Sequence, residues 1–151
     1  MEDMEKNIRI KNKRAYFEYF IDEKYVAGIQ LTGTEIKSIR QGKVSISDAY
    51  CNFIAHELFV INMHIAEYDF GTHYNHEPKR NRKLLLTARE LKKLTIKVRE
   101  RGYTLIPTRM FINEKGLAKL EIGLARGKKL YDKRDTIKAK DNKRDMDRRM
   151  L

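Results

Sequence analysis

Two runs rich in β-branched, aromatic and aliphatic residues, YTLIPTRMFI and LAKLEIGLA, are separated only by NEKG. So short a link joins antiparallel strands, because parallel neighbours need a crossover of a dozen or more residues. Gly116 suits the positive φ of a hairpin loop. Upstream, RAYFEYFIDEKYVAGIQL predicts one long bent strand or a hairpin, with DEK as the bend. AYCNFIAHELFVINMHI predicts two strands turning at AHE, with Phe59, Ile61, Met63 and Ile65 alternating. Pro107 lacks an amide donor, so its strand must place it at an edge or a bulge. About six strands without β–α alternation argue for an antiparallel barrel or sandwich. A small barrel is favoured, because closure removes exposed edges.

Helices are fewer. GTEIKSIRQG predicts a short one, with Ile36 and Ile39 on one face and Gly42 as its stop. TARELKKLTIKVRERG predicts a longer one: Thr87 and Glu90 form a capping box, Leu91, Leu94 and Val98 share a face, and Gly102 ends it. Between these regions, residues 66–83 read as a long polar and basic loop. The fold class expected is therefore mainly β with α, a small antiparallel β-barrel of about six strands with two or three helices.

Charge divides the chain further. The net formal charge is +12 over 151 residues, but residues 1–78 carry −3, residues 79–101 carry +8 and residues 126–151 carry +6. Two basic blocks on a nearly neutral body are the footprint of a nucleic-acid binder. The final 25 residues mix both signs with few apolar groups, too few to offset the entropy of ordering. They read as a tail, residues 127–151, disordered when free and helical on a polyanion, behind a folded unit spanning 1–126. No stretch has the roughly 20 apolar residues of a membrane span, and no signal peptide is evident. The lone Cys51 excludes an internal disulfide and fits a reducing, cytoplasmic setting.

Catalytic chemistry finds little support. His56, His64, His73, His76 and Cys51 lack zinc-finger spacing, so no metal site is assigned. Ser45, Ser47 and Asp48 sit in no GxSxG elbow, and no phosphate-binding glycine loop occurs. Glu35, Asp48, Glu67 and Asp69 leave a metal-dependent nuclease as a rival reading, and a general RNA-packaging protein is another. No enzyme activity and no cofactor are expected.

Four segments stand out in combination: NKRAYFEYFI, GTEIKSIRQGKVSISDAY, PKRNRKLLLTARELKKL and IGLARGKKLYDKRDTIK. In this order they resemble the SsrA-binding protein (small protein B) family, bacterial partners of transfer-messenger RNA, from about Asn12 to Lys138. The resemblance implies an oligonucleotide-binding-like barrel. It also implies binding to the transfer-RNA-like domain of transfer-messenger RNA and delivery of that RNA to stalled ribosomes. The tail would then become helical in the decoding region and empty messenger channel. A monomer with no membrane partner is expected.

Carried over by motif, the RNA-contact candidates are Asn12, Lys13, Arg14, Glu35, Lys37, Arg40, Lys43, Arg80, Arg82, Lys83 and Lys119, with Gly42 beside Lys43. Lys128, Lys129, Tyr131, Asp132, Lys133 and Arg134 are the tail candidates for contact with ribosomal RNA. Relatives often carry Glu in a YEAG stretch where this chain has YVAG, so Val26 leaves that carboxylate unassigned. Tyr16, Phe17, Tyr19 and Tyr25 are a mixture of core residues and possible stacking platforms.

Overall fold

In the computed structural model, residues 8–69 and 75–128 are described. The chain forms β1 (Arg9–Lys11), α1 (Lys13–Glu18), β2 (Tyr19–Ile29), α2 (Gly33–Arg40), β3 (Val44–Ser45), β4 (Tyr50–Ile54), β5 (Glu57–Ile61), β6 (His64–Ile65), β7 (Arg82–Leu85), α3 (Ala88–Arg101), β8 (Thr104–Ile112) and β9 (Ala118–Gly127). The large sheet runs β1-β8-β4-β5-β7-β2-β9, and β9 also pairs with β8. Six strands therefore close into a ring, with β1 attached to β8 where β4 leaves it. Every pairing is antiparallel. The mainly antiparallel architecture with three helices agrees with the sequence reading.

The ring's interior is the core. Leu58, Val60, Leu84, Met110, Leu120 and Ile122 point inward and are buried, and Ile39 of α2 and Leu94 of α3 join them. The longer helix starts as expected, with the capping box Thr87/Glu90 complete, and the shorter one also has a capping box, Thr32/Glu35, that the sequence reading did not name. Gly102 ends α3 at φ 69°. The turn between β4 and β5 has Ala55 and His56 both at positive φ, the primed geometry that matches strand twist. Pro107 lies at a bulge: the β8–β9 register shifts between Pro107 and Arg109.

Three local readings are corrected. RAYFEYFIDEKYVAGIQL does not begin as strand, because Asn12 caps a helix there; its side chain accepts from the Ala15 amide at 3.1 Å. The rest is one long strand, the first of the two alternatives the sequence left open, with a register shift between Ile21 and Glu23 where DEK suggested a bend. In β5 it is Leu58 and Val60 that face inward, while Phe59 and Ile61 are half-buried. Asn62, at φ 64°, breaks the alternation and returns Met63 and Ile65 to the core. The expected loop also ends earlier, since Arg82–Leu85 is a strand of the ring.

Gly123 marks a close approach on the outward side of β9, beside the small cluster of Ala15, Ile106 and Ala125. A Cβ there would lie 2.8 Å from Ile21 Cγ2 and 3.0 Å from Thr108 Cγ2. Gly123→Ala is expected to destabilise the protein by about 1–3 kcal/mol, the cost of overpacking. Urea denaturation checks this, and a midpoint equal to wild type would mean that the β2–β8 contact yields freely.

Candidate nucleic-acid interface

Strand alternation decides which side chains leave the ring. On the outer face of β1, β8, β9, β2 and β7, the register aligns Arg9, Phe111, Lys119, Gly28 and Leu85 in one row. The row crosses five strands, about 19 Å at the usual strand spacing. The next row aligns Lys11, Arg109, Glu121 and Val26. Lys24 and Lys115 extend the surface, and Tyr16 of α1 closes one end, with Lys11 Nζ 5.1 Å and Lys24 Nζ 5.0 Å from its ring centroid. Arg9, Lys11, Lys24, Arg109, Lys115 and Lys119 thus share this surface with Glu121 of β9 and Glu114 of the connecting turn, while Asp22 and Glu23 of β2 pair with Arg126 and with Lys93 and Lys97.

Apolar groups stand among the cations. Val26 is 50% exposed and Leu85 46% exposed. Gly28 lets them share this surface closely: a Cβ at Gly28 would fall 3.3 Å from Leu85 Cβ and 3.7 Å from Lys119 Nζ. A flat face of cations, one aromatic ring and exposed aliphatic groups suits phosphates with unstacked bases.

The predicted contact residues do not form one patch. Lys119 lies in the row described, and Arg40 reaches the adjacent hairpin tip, 3.9 Å from where a Gly116 Cβ would sit. Lys13 and Arg14 lie on α1, and Arg14 is bonded to Glu18 at 3.0 Å and Asp48 at 2.6 Å. Lys128, at the end of β9, donates to the Tyr16 carbonyl at 3.0 Å. Lys37 and Lys43 hold the segment after β6, Lys37 over the Tyr68 ring and Lys43 bonded to Asp69 at 2.5 Å. Lys83 donates to Glu57 at 3.0 Å. Lys129, Tyr131, Asp132, Lys133 and Arg134 lie outside the described residues.

Three candidates, Asn12, Glu35 and Arg82, face inward in the free protein. Asn12 is 2% exposed, and its amide donates to the Ile46 and Pro107 carbonyls at 3.1 and 2.8 Å. It joins α1, β8 and the segment after β3. Glu35 and Arg82 are fully buried and paired with each other. Glu35 also accepts from Arg80 at 2.6 Å and from the Thr32 amide at 2.9 Å. Arg82 donates onward to the Met63 and Pro78 carbonyls at 2.6 and 3.0 Å. Burial works against the Glu35 charge, but the bonds from Arg80, Thr32 and Arg82 outweigh it and hold the carboxyl below its ordinary value. The PKRNRK motif therefore turns its arginines onto one buried carboxylate, and Arg80, 38% exposed, is the more accessible of the two.

The remaining chemistry is consistent with binding alone. His76 is buried between Thr34 Oγ1 and the Ile65 carbonyl, both at 2.9 Å. Among the described residues, no three His, Cys, Asp or Glu gather as a metal site. Burial pushes the Cys51 thiol far up, away from reactivity. Of the aromatic candidates, Tyr25 packs inward with its hydroxyl 2.6 Å from Glu23, and burial first, then that bond, pushes its pKa up to about 12. Phe17 is 80% exposed on α1. Phe111, Arg109, Arg9, Lys11 and Lys24 were not singled out from sequence. The alternation of IRIK and TRMFI carried the signal for four of them.

Comparison with known proteins is consistent with this surface. The family model described as SmpB protein matches residues 9–151. The SsrA-binding protein of Flavobacterium psychrophilum is 61% identical, covering 96% of this chain and 97% of that protein. That of Christiangramia forsetii is 58% identical, covering 96% and 92%. The SsrA-binding protein of Rickettsia canadensis is 50% identical, covering 95% and 94%. Among solved structures, a chain described under "tmRNA-SmpB: a journey to the center of the bacterial ribosome" superposes with a TM-score of 0.67 at 46% identity, covering 80% of this chain and 85% of that one. With a family match over residues 9–151 and relatives at 50–61% identity across nearly the whole chain, this chain belongs to the SmpB, or SsrA-binding protein, family.

Proposed function

We propose that this protein binds the transfer-RNA-like head of transfer-messenger RNA and delivers it to stalled ribosomes for trans-translation. The observation that carries the reading is the outer face of β1, β8, β9, β2 and β7. There cations, an aromatic ring and exposed aliphatic groups share one surface in a chain of this family. Phosphate contacts by Arg9, Lys11 and Lys119 hold the RNA, and Val26 and Leu85 meet its bases or sugars. The protein acts by binding, not catalysis. Residues 127–151 form the separate tail, which enters the decoding region and the empty messenger channel and becomes helical there. The protein works in the cytoplasm; among the described residues no helix is long and apolar enough to cross a membrane.

The first experiment compares affinity for the transfer-messenger RNA head with affinity for ordinary transfer RNA at one salt concentration. Marked preference for the head is expected, and equal affinity would make this a general RNA binder. Changing Arg9 and Lys119 together to Ala should weaken head binding. It should also reduce the log–log salt slope by roughly 1.5, since each lost phosphate contact removes about 0.7–0.9. An unchanged slope in a folded variant would move the interface off this face.

A further inference from the structure

At the hairpin end of the same face, the tip between β8 and β9 rises beside β1 and encloses an open groove of about 850 Å³. That is the size of a ligand site rather than a surface dimple. Its walls include Arg9, Arg109, Phe111, Lys115, Leu117 and Lys119, with Glu114 the one acidic residue among its described lining residues. The floor is preset. Glu121 accepts from Thr108 Oγ1 at 2.9 Å and from Arg109 at 3.1 Å, which fixes the guanidinium 4.7 Å from the Phe111 ring centroid. The tip is equally constrained. Asn113 Oδ1 accepts from the Lys115 and Leu117 amides at 3.0 and 2.9 Å, and the Asn113 amide donates to the Leu117 carbonyl at 2.9 Å. Leu117 is held 53% exposed in consequence.

From this arrangement we infer that the groove is a subsite for one unpaired nucleotide of the bound RNA. The base lies on the guanidinium of Arg109, which is already layered on Phe111, with Leu117 at its edge. Arg9, Lys115 and Lys119 take the flanking phosphates. A guanidinium fixed over a ring offers a flat, cationic stacking surface, and any base has a π-face to meet it. A paired base cannot enter, because its faces are occupied by its neighbours in the helix. The subsite thus selects for a flipped-out or loop nucleotide and not for sequence. The inference rests on the RNA-binding reading above and adds to it where, and in what state, a base is received.

The chain contains no tryptophan, so Phe111→Trp installs a single indole in the groove. The full-length variant is titrated with the transcribed transfer-messenger RNA head and with a blunt RNA duplex of equal phosphate number, and binding is followed independently by filter retention. Quenching by the head, but not by the duplex at equal occupancy, is expected. No quenching, or equal quenching by both at saturation, would overturn the subsite. In otherwise wild-type protein, Arg109→Lys keeps the charge but loses the planar surface. It should weaken head binding about tenfold, from the usual value of a base stack, while leaving duplex binding and its salt slope unchanged. Head affinity within twofold of wild type would overturn the assignment, whereas failure of wild-type protein to bind the head would instead defeat the broader function.

Discussion

Replacing Glu35 with Ala is expected to destabilise the fold by about 3–5 kcal/mol, because it leaves the fully buried Arg82 charge without its partner. The same change removes the acceptor for Arg80 and for the Thr32 amide, so the start of α2 and the segment before β7 loosen together. Against a typical total of about 5–15 kcal/mol, that loss is large. Glu35→Gln keeps shape and one acceptor but not the charge, and should fall between. The pair also carries a pH signature. The Glu35 carboxyl titrates below its ordinary 4.5 in the folded protein. Its stabilisation is therefore complete above that value and is lost as the pH falls through the lower, folded one. Urea unfolding of wild type and Glu35→Gln from pH 7 down to acid tests both points. Wild type should lose its advantage below about pH 4.5. A Glu35→Ala penalty under about 1 kcal/mol would mean that water reaches Arg82 and replaces the carboxylate.

Removing residues 130–151 should abolish peptide tagging on stalled ribosomes while leaving a folded body. Among the described residues, β9 is the final strand and ends at Gly127, and the buried core reaches no further than Ala125. Thermal unfolding of the truncated protein should thus match that of the full chain within a few degrees. Head affinity should fall modestly, since distant charges are screened over about 8 Å at physiological ionic strength. Tagging should disappear because Tyr131, Lys133 and Arg134 no longer meet ribosomal RNA and fold there. Measured on one preparation, these results separate RNA binding from ribosome engagement. Undiminished tagging would make the tail a solvated appendage.

Much was legible in the chain itself. The capping box at Thr87, the glycine stop at Gly102, the turn at 55–57 and the need for an edge or bulge at Pro107 all follow from local chemistry, which neighbouring residues fix whatever the rest of the fold does. Family membership was also readable, from four ordered motifs. The face of β5 was misread because Phe59 and Ile61 are as apolar as Leu58 and Val60; period-two alternation cannot choose between two greasy faces. The helix at Lys13–Glu18 was missed because aromatic residues favour strands, and the cap and burial of Asn12 overrode that preference.

Charge shows the same division most clearly. Counting along the chain put the basic character in residues 79–101 and the tail, and made residues 1–78 slightly acidic. Folding redistributes it: Arg82 of the basic block goes into the core, while Arg9, Lys11 and Lys24 from the acidic segment meet Arg109 and Lys119 across four strands. Local sequence determined where strands, turns and caps form, since those depend on nearby residues. Which side chains become neighbours, and whether an arginine ends on RNA or on Glu35, was decided only by strand register and ring closure, because these join residues as distant in sequence as Arg9 and Phe111.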